Sequence, residues 1–200
     1  MNLDKLYKLS KKDLDKSAQV LAKAFYDYPM FKCILGEKHN MENIEIFLRF
    51  LIKYAVLYGK AYGSSSEIEG ILLFSSFKDY HFNLFRSLRS GALSLVKLGS
   101  DAGKKLNEFN NFSLKIHQEK VIGPHQYVIL LGVDPEKQGQ GFGSKLMYPM
   151  LKTAEKKGQP CYLETHSFKN VKIYEGFGFE LISEDLVPGI NIPHWSMLKK

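Results

Sequence analysis

Cysteine is nearly absent: Cys33 and Cys161 are the only two, and they form no C-x-x-C pair. Neither a disulfide framework nor a cysteine-based zinc site is therefore indicated, and a reducing compartment is expected. No apolar run approaches the ~18 residues needed to span a bilayer. The first ten residues carry Asp4, Lys5 and Lys8 with no apolar core, so no secretory signal is read there and a cytoplasmic protein is expected. The formal charge is +7, yet no block of five or more basic residues occurs. A nucleic-acid partner consequently has only the net charge behind it, and no binding motif. His39, His81, His117, His125, His166 and His194 show no ligand spacing, so no metal is expected.

What is present suits an ordinary soluble globular chain: 44% apolar and 24% charged residues in a length of 200. That length fits one domain, residues 1–200, able to bury a real core. Lys5 to Leu9 reads as a first strand. Ser10 then caps a helix from about Lys11 to Tyr26, with Leu14, Ala18, Leu21, Ala22 and Phe25 on one face. Asp27-Tyr28-Pro29-Met30-Phe31 should end it, as an aromatic loop that either packs the core or walls a pocket. A second helix spans Met41 to Tyr58, closed by Gly59. Two antiparallel strands follow at Ala61–Ser64 and Glu67–Ser75. Residues 79–120 break the β pattern and read as a helical insertion. Leu84, Phe85, Leu88, Ala92, Leu95 and Val96 form its apolar stripe, and a second helix lies between Lys104 and His117. Arg86, Arg89 and Lys97 are read as a solvated face, so no membrane partner is expected.

The chain is organised around residues 131–146. Tyr127 to Val133 is a buried-strand pattern, stopped by Asp134-Pro135. Gln138 to Gly143 fits Gln-x-x-Gly-x-Gly, and a helix opens directly afterwards. Glycines let a ligand approach the backbone, and the unpaired N–H groups of a helix start favour an anion. The spacing is wrong for a dinucleotide fingerprint, and the Gly-Lys-Ser/Thr ending of a P-loop is missing. The helix continues to about Lys157, with Pro149 expected to kink it or remove one bond. Pro160–Thr165, Phe177–Ser183 and Ile192–Leu198 read as strands, with a short helix at Asn170–Glu175 between the first two.

This strand, turn and glycine loop resembles the coenzyme A pyrophosphate loop of the GNAT superfamily of N-acetyltransferases. Asn170 to Phe179 resembles the same family's Asn-x-x-x-Tyr-x-x-x-Gly-Phe segment, and the two lie in order about 30 residues apart. The resemblance implies a mixed α/β (α+β) fold: a mostly antiparallel, twisted sheet of six to seven strands, flanked by helices, with a splayed central strand pair. It further implies acetyl-CoA as cofactor. Leu131, Gly132 and Val133 would line the pantetheine; Gln138, Gly139, Gln140, Gly141, Phe142, Gly143 and Ser144 would hold the pyrophosphate; Asn170 would bond the pantetheine arm.

Tyr174, by the same resemblance, would face the sulfur as general acid. The alternative for it is an aromatic anchor packing its helix. Histone-type members carry a glutamate where this chain has Tyr127, so the base must be sought elsewhere. Glu164 is the leading candidate, with His166 and His125 behind it. The expected activity is acetyl transfer to a primary amine of a small molecule or peptide by direct attack. A non-catalytic acyl-CoA-binding protein on the same fold is the first rival, and a basic nucleic-acid-binding module the second. A homodimer is left open.

Overall fold

Residues 2–200 are described by a computed structural model. Seven strands, β1 (Tyr7–Lys8), β2 (Lys60–Gly63), β3 (Gly70–Ser76), β4 (Gln126–Val133), β5 (Cys161–Thr165), β6 (Glu180–Leu186) and β7 (Pro193–Lys199), form one sheet in the order β1-β2-β3-β4-β5-β7-β6. Every neighbouring pair is antiparallel except β4 and β5. The helices are α1 (Leu14–Phe25), α2 (Pro29–Leu35), α3 (Met41–Tyr58), α4 (Leu84–Ser90), α5 (Ser100–Lys120), α6 (Phe142–Glu155) and α7 (Phe168–Gly176).

The strand period of two sorts the core into layers. Ile71 and Leu73 of β3 join Leu21, Ile44, Leu48 and Ile52 from α1 and α3 on one side of the sheet. Leu72 and Phe74 face the other side, where Leu146, Met147 and Met150 of α6 and Val171 of α7 pack. A mostly antiparallel sheet between two helical layers is the architecture expected from the sequence.

Local chemistry fixes the element ends. The Ser10 N–H and hydroxyl both donate to Asp13 Oδ2, at 2.8 and 2.7 Å, and start the turn that leads into α1. Asn40 Oδ1 accepts from the Asn43 N–H at 2.9 Å, so α3 begins at Met41, and the Gly59 N–H closes it on Ala55 O at 2.9 Å. Four readings shift. Pro29 does not end a loop but begins α2, since its fixed φ suits a first helical position and its missing N–H costs nothing there. The strand expected from Glu67 begins at Gly70, because Ile68 has a positive φ of 60° and belongs to the turn. The strand expected from Phe177 begins at Glu180, after Gly178 at φ 84°. The stripe from Leu84 to Val96 is not one helix: Gly91, at φ 99°, ends α4, and a 3-10 segment, Ala92–Leu98, follows.

One glycine is fixed by close approach. A Cβ on Gly132 would sit 2.5 Å from Leu21 Cδ2 and 2.8 Å from Phe25 Cε2, so α1 lies directly against β4 here. Gly132→Ala is expected to destabilise the fold by about 1–3 kcal/mol through overpacking. Chemical denaturation would show a lower midpoint with an unchanged slope; an unchanged midpoint would mean that α1 shifts freely.

Candidate active site

β4 and β5 pair only at their beginnings, Gln126 with Cys161, Tyr127 with Tyr162 and Val128 with Leu163. Beyond Val128 the strands separate, and β4 keeps only β3 as a partner. The Asp134 N–H donates to Glu69 O at 2.8 Å, on the β3 side. By strand alternation the backbone groups of Leu131 and Val133 point the other way, into the gap. This is the splayed pair implied by the sequence.

The loop after β4 ends at the opening of the gap. Gly139 and Gly141 have φ of 76° and 83°, and an added Cβ at either would meet nothing within 4 Å. Open space therefore lies in front of both. Gly141 precedes the first turn of α6, whose N–H groups have no partner within the helix. Gln138 Nε2 donates to Val133 O at 3.2 Å and Gln140 Nε2 to Glu136 O at 3.3 Å, which tie the loop back on itself. Backbone donors, glycine clearance and Lys145 in the first turn suit a pyrophosphate, and the unpaired edge of β4 suits the amide-bearing arm of coenzyme A.

A cavity of about 350 Å³ extends from the gap towards α5. Leu131, Glu164, His166, Asn170 and Tyr174 all line it, so the structure brings together candidates from β4, β5 and α7. His125 is not among its walls. It stacks on Phe77, bonds Gly123 O through Nδ1 at 2.8 Å and meets His117 Nε2 at 2.8 Å. The carbonyl fixes the proton on Nδ1 of neutral His125, leaving Nε2 to accept from His117.

Glu164 is held by hydroxyls. Its Oε2 accepts from Ser113 Oγ at 2.5 Å and, more distantly, from the Tyr127 hydroxyl at 3.4 Å. Its Oε1 lies 3.1 Å from the Tyr162 hydroxyl, which Ser196 Oγ approaches to 2.9 Å from behind. Burial is the dominant influence and pushes the carboxyl up to about 7, against the lowering effect of the three hydroxyls. Glu164 thus places a carboxylate beside Tyr127 from the neighbouring strand. Burial also raises Tyr174, which keeps its hydroxyl protonated and able to donate. Burial depresses His166 to about 3, so its ring is neutral near pH 7.

Residues 112–181 match the family described as "Acetyltransferase (GNAT) domain". Over this stretch, from the end of α5 to the start of β6, the chain is similar to GNAT acetyltransferases. A protein of Schizosaccharomyces pombe described as an uncharacterized N-acetyltransferase is 29% identical over 177 residues, 84% of this chain and 71% of its own length. A Corynebacterium glutamicum structure described as histone acetyltransferase HPA2 and related acetyltransferase aligns with a TM-score of 0.62 at 17% identity, over 97% of this chain and 94% of that one. Arylalkylamine N-acetyltransferase 2 of Aedes aegypti aligns with a TM-score of 0.64 at 16% identity, over 97% of each chain. GNAT members use acetyl-CoA as co-substrate, and these likenesses support an acetyl-CoA-dependent N-acetyltransferase.

Two residues at this cavity were not read from the sequence. Ser113 sits on α5, within the helical excursion between β3 and β4, and no local pattern ties it to Glu164. Tyr28 was seen only as part of an aromatic loop. Its hydroxyl accepts from the His166 backbone N–H at 2.7 Å and shares a hydrogen bond with Thr165 Oγ1 at 3.0 Å. Tyr28 thereby joins the start of α2 to the end of β5, across the cavity.

Proposed function

We propose that this chain acetylates the primary amine of a small molecule with an apolar or aromatic body. The observation that carries this reading is the cavity itself: one carboxylate, Glu164, within walls that include Phe31, Phe47, Phe50, Phe82 and Phe109. Aromatic faces attract both aryl groups and cations, and a carboxylate attracts the ammonium. The volume of about 350 Å³ suits a small amine better than a peptide. The likeness to a mosquito protein named for arylalkylamines supports the same class.

Acetyl-CoA brings the thioester whose acetyl group is transferred. In our assignment, Gln138 to Ser144 hold its pyrophosphate, Leu131 and Val133 pair with the pantetheine arm through backbone groups, and Asn170 bonds that arm from the opposite side. Glu164 takes a proton from the bound ammonium, which frees the nitrogen lone pair. The nitrogen then bonds to the acetyl carbon as the carbon–sulfur bond breaks. The Val133 N–H faces the developing oxyanion, and Tyr174 gives its proton to the departing sulfur. The second amine proton leaves to solvent. The residues 79–120 form an excursion within the single domain, and in this reading they complete the acceptor pocket.

The acceptor test is coenzyme A release with a panel of arylalkylamines, aliphatic polyamines and lysine peptides. Arylalkylamines should give the highest kcat/KM; a clear preference for peptides would refute the small-amine reading. The cofactor test is thermal. Acetyl-CoA at a hundred times its Kd should stabilise the native state by about 2.7 kcal/mol. Gly141→Glu should abolish that shift by placing charge and bulk where phosphate sits. Gly141→Ala shares the strain of φ 83° without the charge, and should retain part of it. An undiminished shift in Gly141→Glu would remove this loop from the cofactor site.

A further inference from the structure

The segment from α4 to the 3-10 turn has two faces. Ser87, Ala92 and Leu95 line the cavity. On the outside, Leu84, Phe85, Leu93 and Val96 are between 69% and 77% exposed, and Leu88 is 45% exposed. Leu84 and Leu88 are four apart and Phe85 and Leu88 three apart, so they share a face of α4. Leu93 and Val96 are three apart, the spacing that eclipses side chains in a 3-10 segment. Scattered exposed leucines are ordinary, but a cluster of this size on a short stretch marks an interaction surface.

Charge indicates the partner. Between Tyr80 and Ser100 there is no Asp or Glu, whereas Arg86, Arg89 and Lys97 are all present. Arg86 is engaged: its guanidinium lies 4.8 Å from the Tyr58 ring centroid and donates to Asp79 O at 2.9 Å. Arg89 and Lys97 are exposed and enter no ion pair among the described residues. Among the described residues no helix is long and apolar enough to cross a membrane, and α4 with the 3-10 turn is a short amphipathic stretch at the surface.

We infer that residues 84–98 seat on an anionic lipid surface, with Leu84, Phe85, Leu93 and Val96 entering the acyl boundary and Arg89 and Lys97 meeting the headgroups. Apolar insertion beside basic residues is the pattern of interfacial helices. The same segment walls the cavity, so seating brings that wall to the lipid interface.

The test is co-sedimentation of the full chain with phosphatidylcholine vesicles, with and without phosphatidylserine. Binding is expected to the mixed vesicles, on the order of 10–100-fold tighter than to the neutral ones at low salt. The combined variant Leu84→Ser, Phe85→Ser, Leu93→Ser and Val96→Ser should lose binding to both. Arg89→Glu with Lys97→Glu should lose only the preference for phosphatidylserine. Circular dichroism and melting temperature show whether each variant is folded, and these exposed positions should leave both unchanged. Absence of wild-type binding to the mixed vesicles would overturn the inference, as would undiminished binding by the serine variant. A vesicle-free dimer that the serine variant disperses would assign the patch to a second copy of this chain, and would also overturn it.

Discussion

Glu164→Gln is expected to slow acetylation of a good acceptor by about 10²–10⁴-fold near pH 7, the range typical of a lost general base. The pH profile distinguishes the cause. A carboxyl pushed up to about 7 is half protonated at that pH, and only its ionised form can accept a proton. Wild-type kcat/KM should therefore rise through pH 7 to a plateau about a unit higher, and fall as pH drops below 7. The variant should lose that limb and recover only as pH approaches the amine's own pKa near 10. Ser113→Ala gives an independent check. The Ser113 hydrogen bond favours the ionised carboxyl, so its loss should move the limb to higher pH while leaving the plateau nearly intact. A higher KM with an unmoved limb would mean that Glu164 binds the ammonium and the base lies elsewhere.

Folding must be followed in the same pH range. Burial depresses His117 and His166 to about 3 and His194 to about 4, and lowers His125 as well. The unfolded chain binds protons at these rings near 6.5, before the folded chain can. Stability is thus intact above pH 6.5 and falls as pH drops below it, by up to about 1.4 kcal/mol per pH unit for each ring. A loss of rate below pH 6 counts as titration of Glu164 only while the protein remains folded.

The parts of the site that were readable in the sequence are those built from local pattern. Gln138 to Gly141 is a loop leading into α6, and its glycines mark the two positive φ values, at Gly139 and Gly141, that other residues would resist. Asn170 and Tyr174, four apart on one helix, reach the same cavity because helical spacing fixes their face. The helix expected over Met41–Tyr58 is found with those ends; Gly59 marked its close in the sequence, and the structure adds Asn40 as its N-cap. What was not legible depends on distant segments meeting. Ser113 reaches Glu164 across 51 positions and Tyr28 reaches Thr165 across 137, and neither separation leaves a periodic trace. The apolar stripe from Leu84 to Val96 was misleading for the same reason. Helical spacing shows that residues share a face, not whether anything covers it.

Tyr174→Phe is the second large effect expected, a fall of about 10²–10⁴-fold in kcat with little change in acetyl-CoA affinity. The substitution keeps the ring, which packs edge-on against Phe179 at 6.0 Å between centroids, and removes only the hydroxyl. Burial raises the phenol, which at first sight makes it a poor acid for a thiol whose parent pKa is near 8.5. The same dry surroundings penalise the departing thiolate, however, so both pKa values rise and their difference narrows. The hydroxyl stays protonated at all working pH values and has a proton to donate when charge reaches the sulfur. That charge exists only late in the reaction, so its loss should appear in kcat rather than in binding. Acetyl-CoA affinity, measured by the thermal shift of the free enzyme, should match wild type. Full turnover by Tyr174→Phe on an acceptor used by the wild type would reassign Tyr174 to packing α7 against the sheet. A parallel loss of acetyl-CoA binding would place the hydroxyl in cofactor recognition instead.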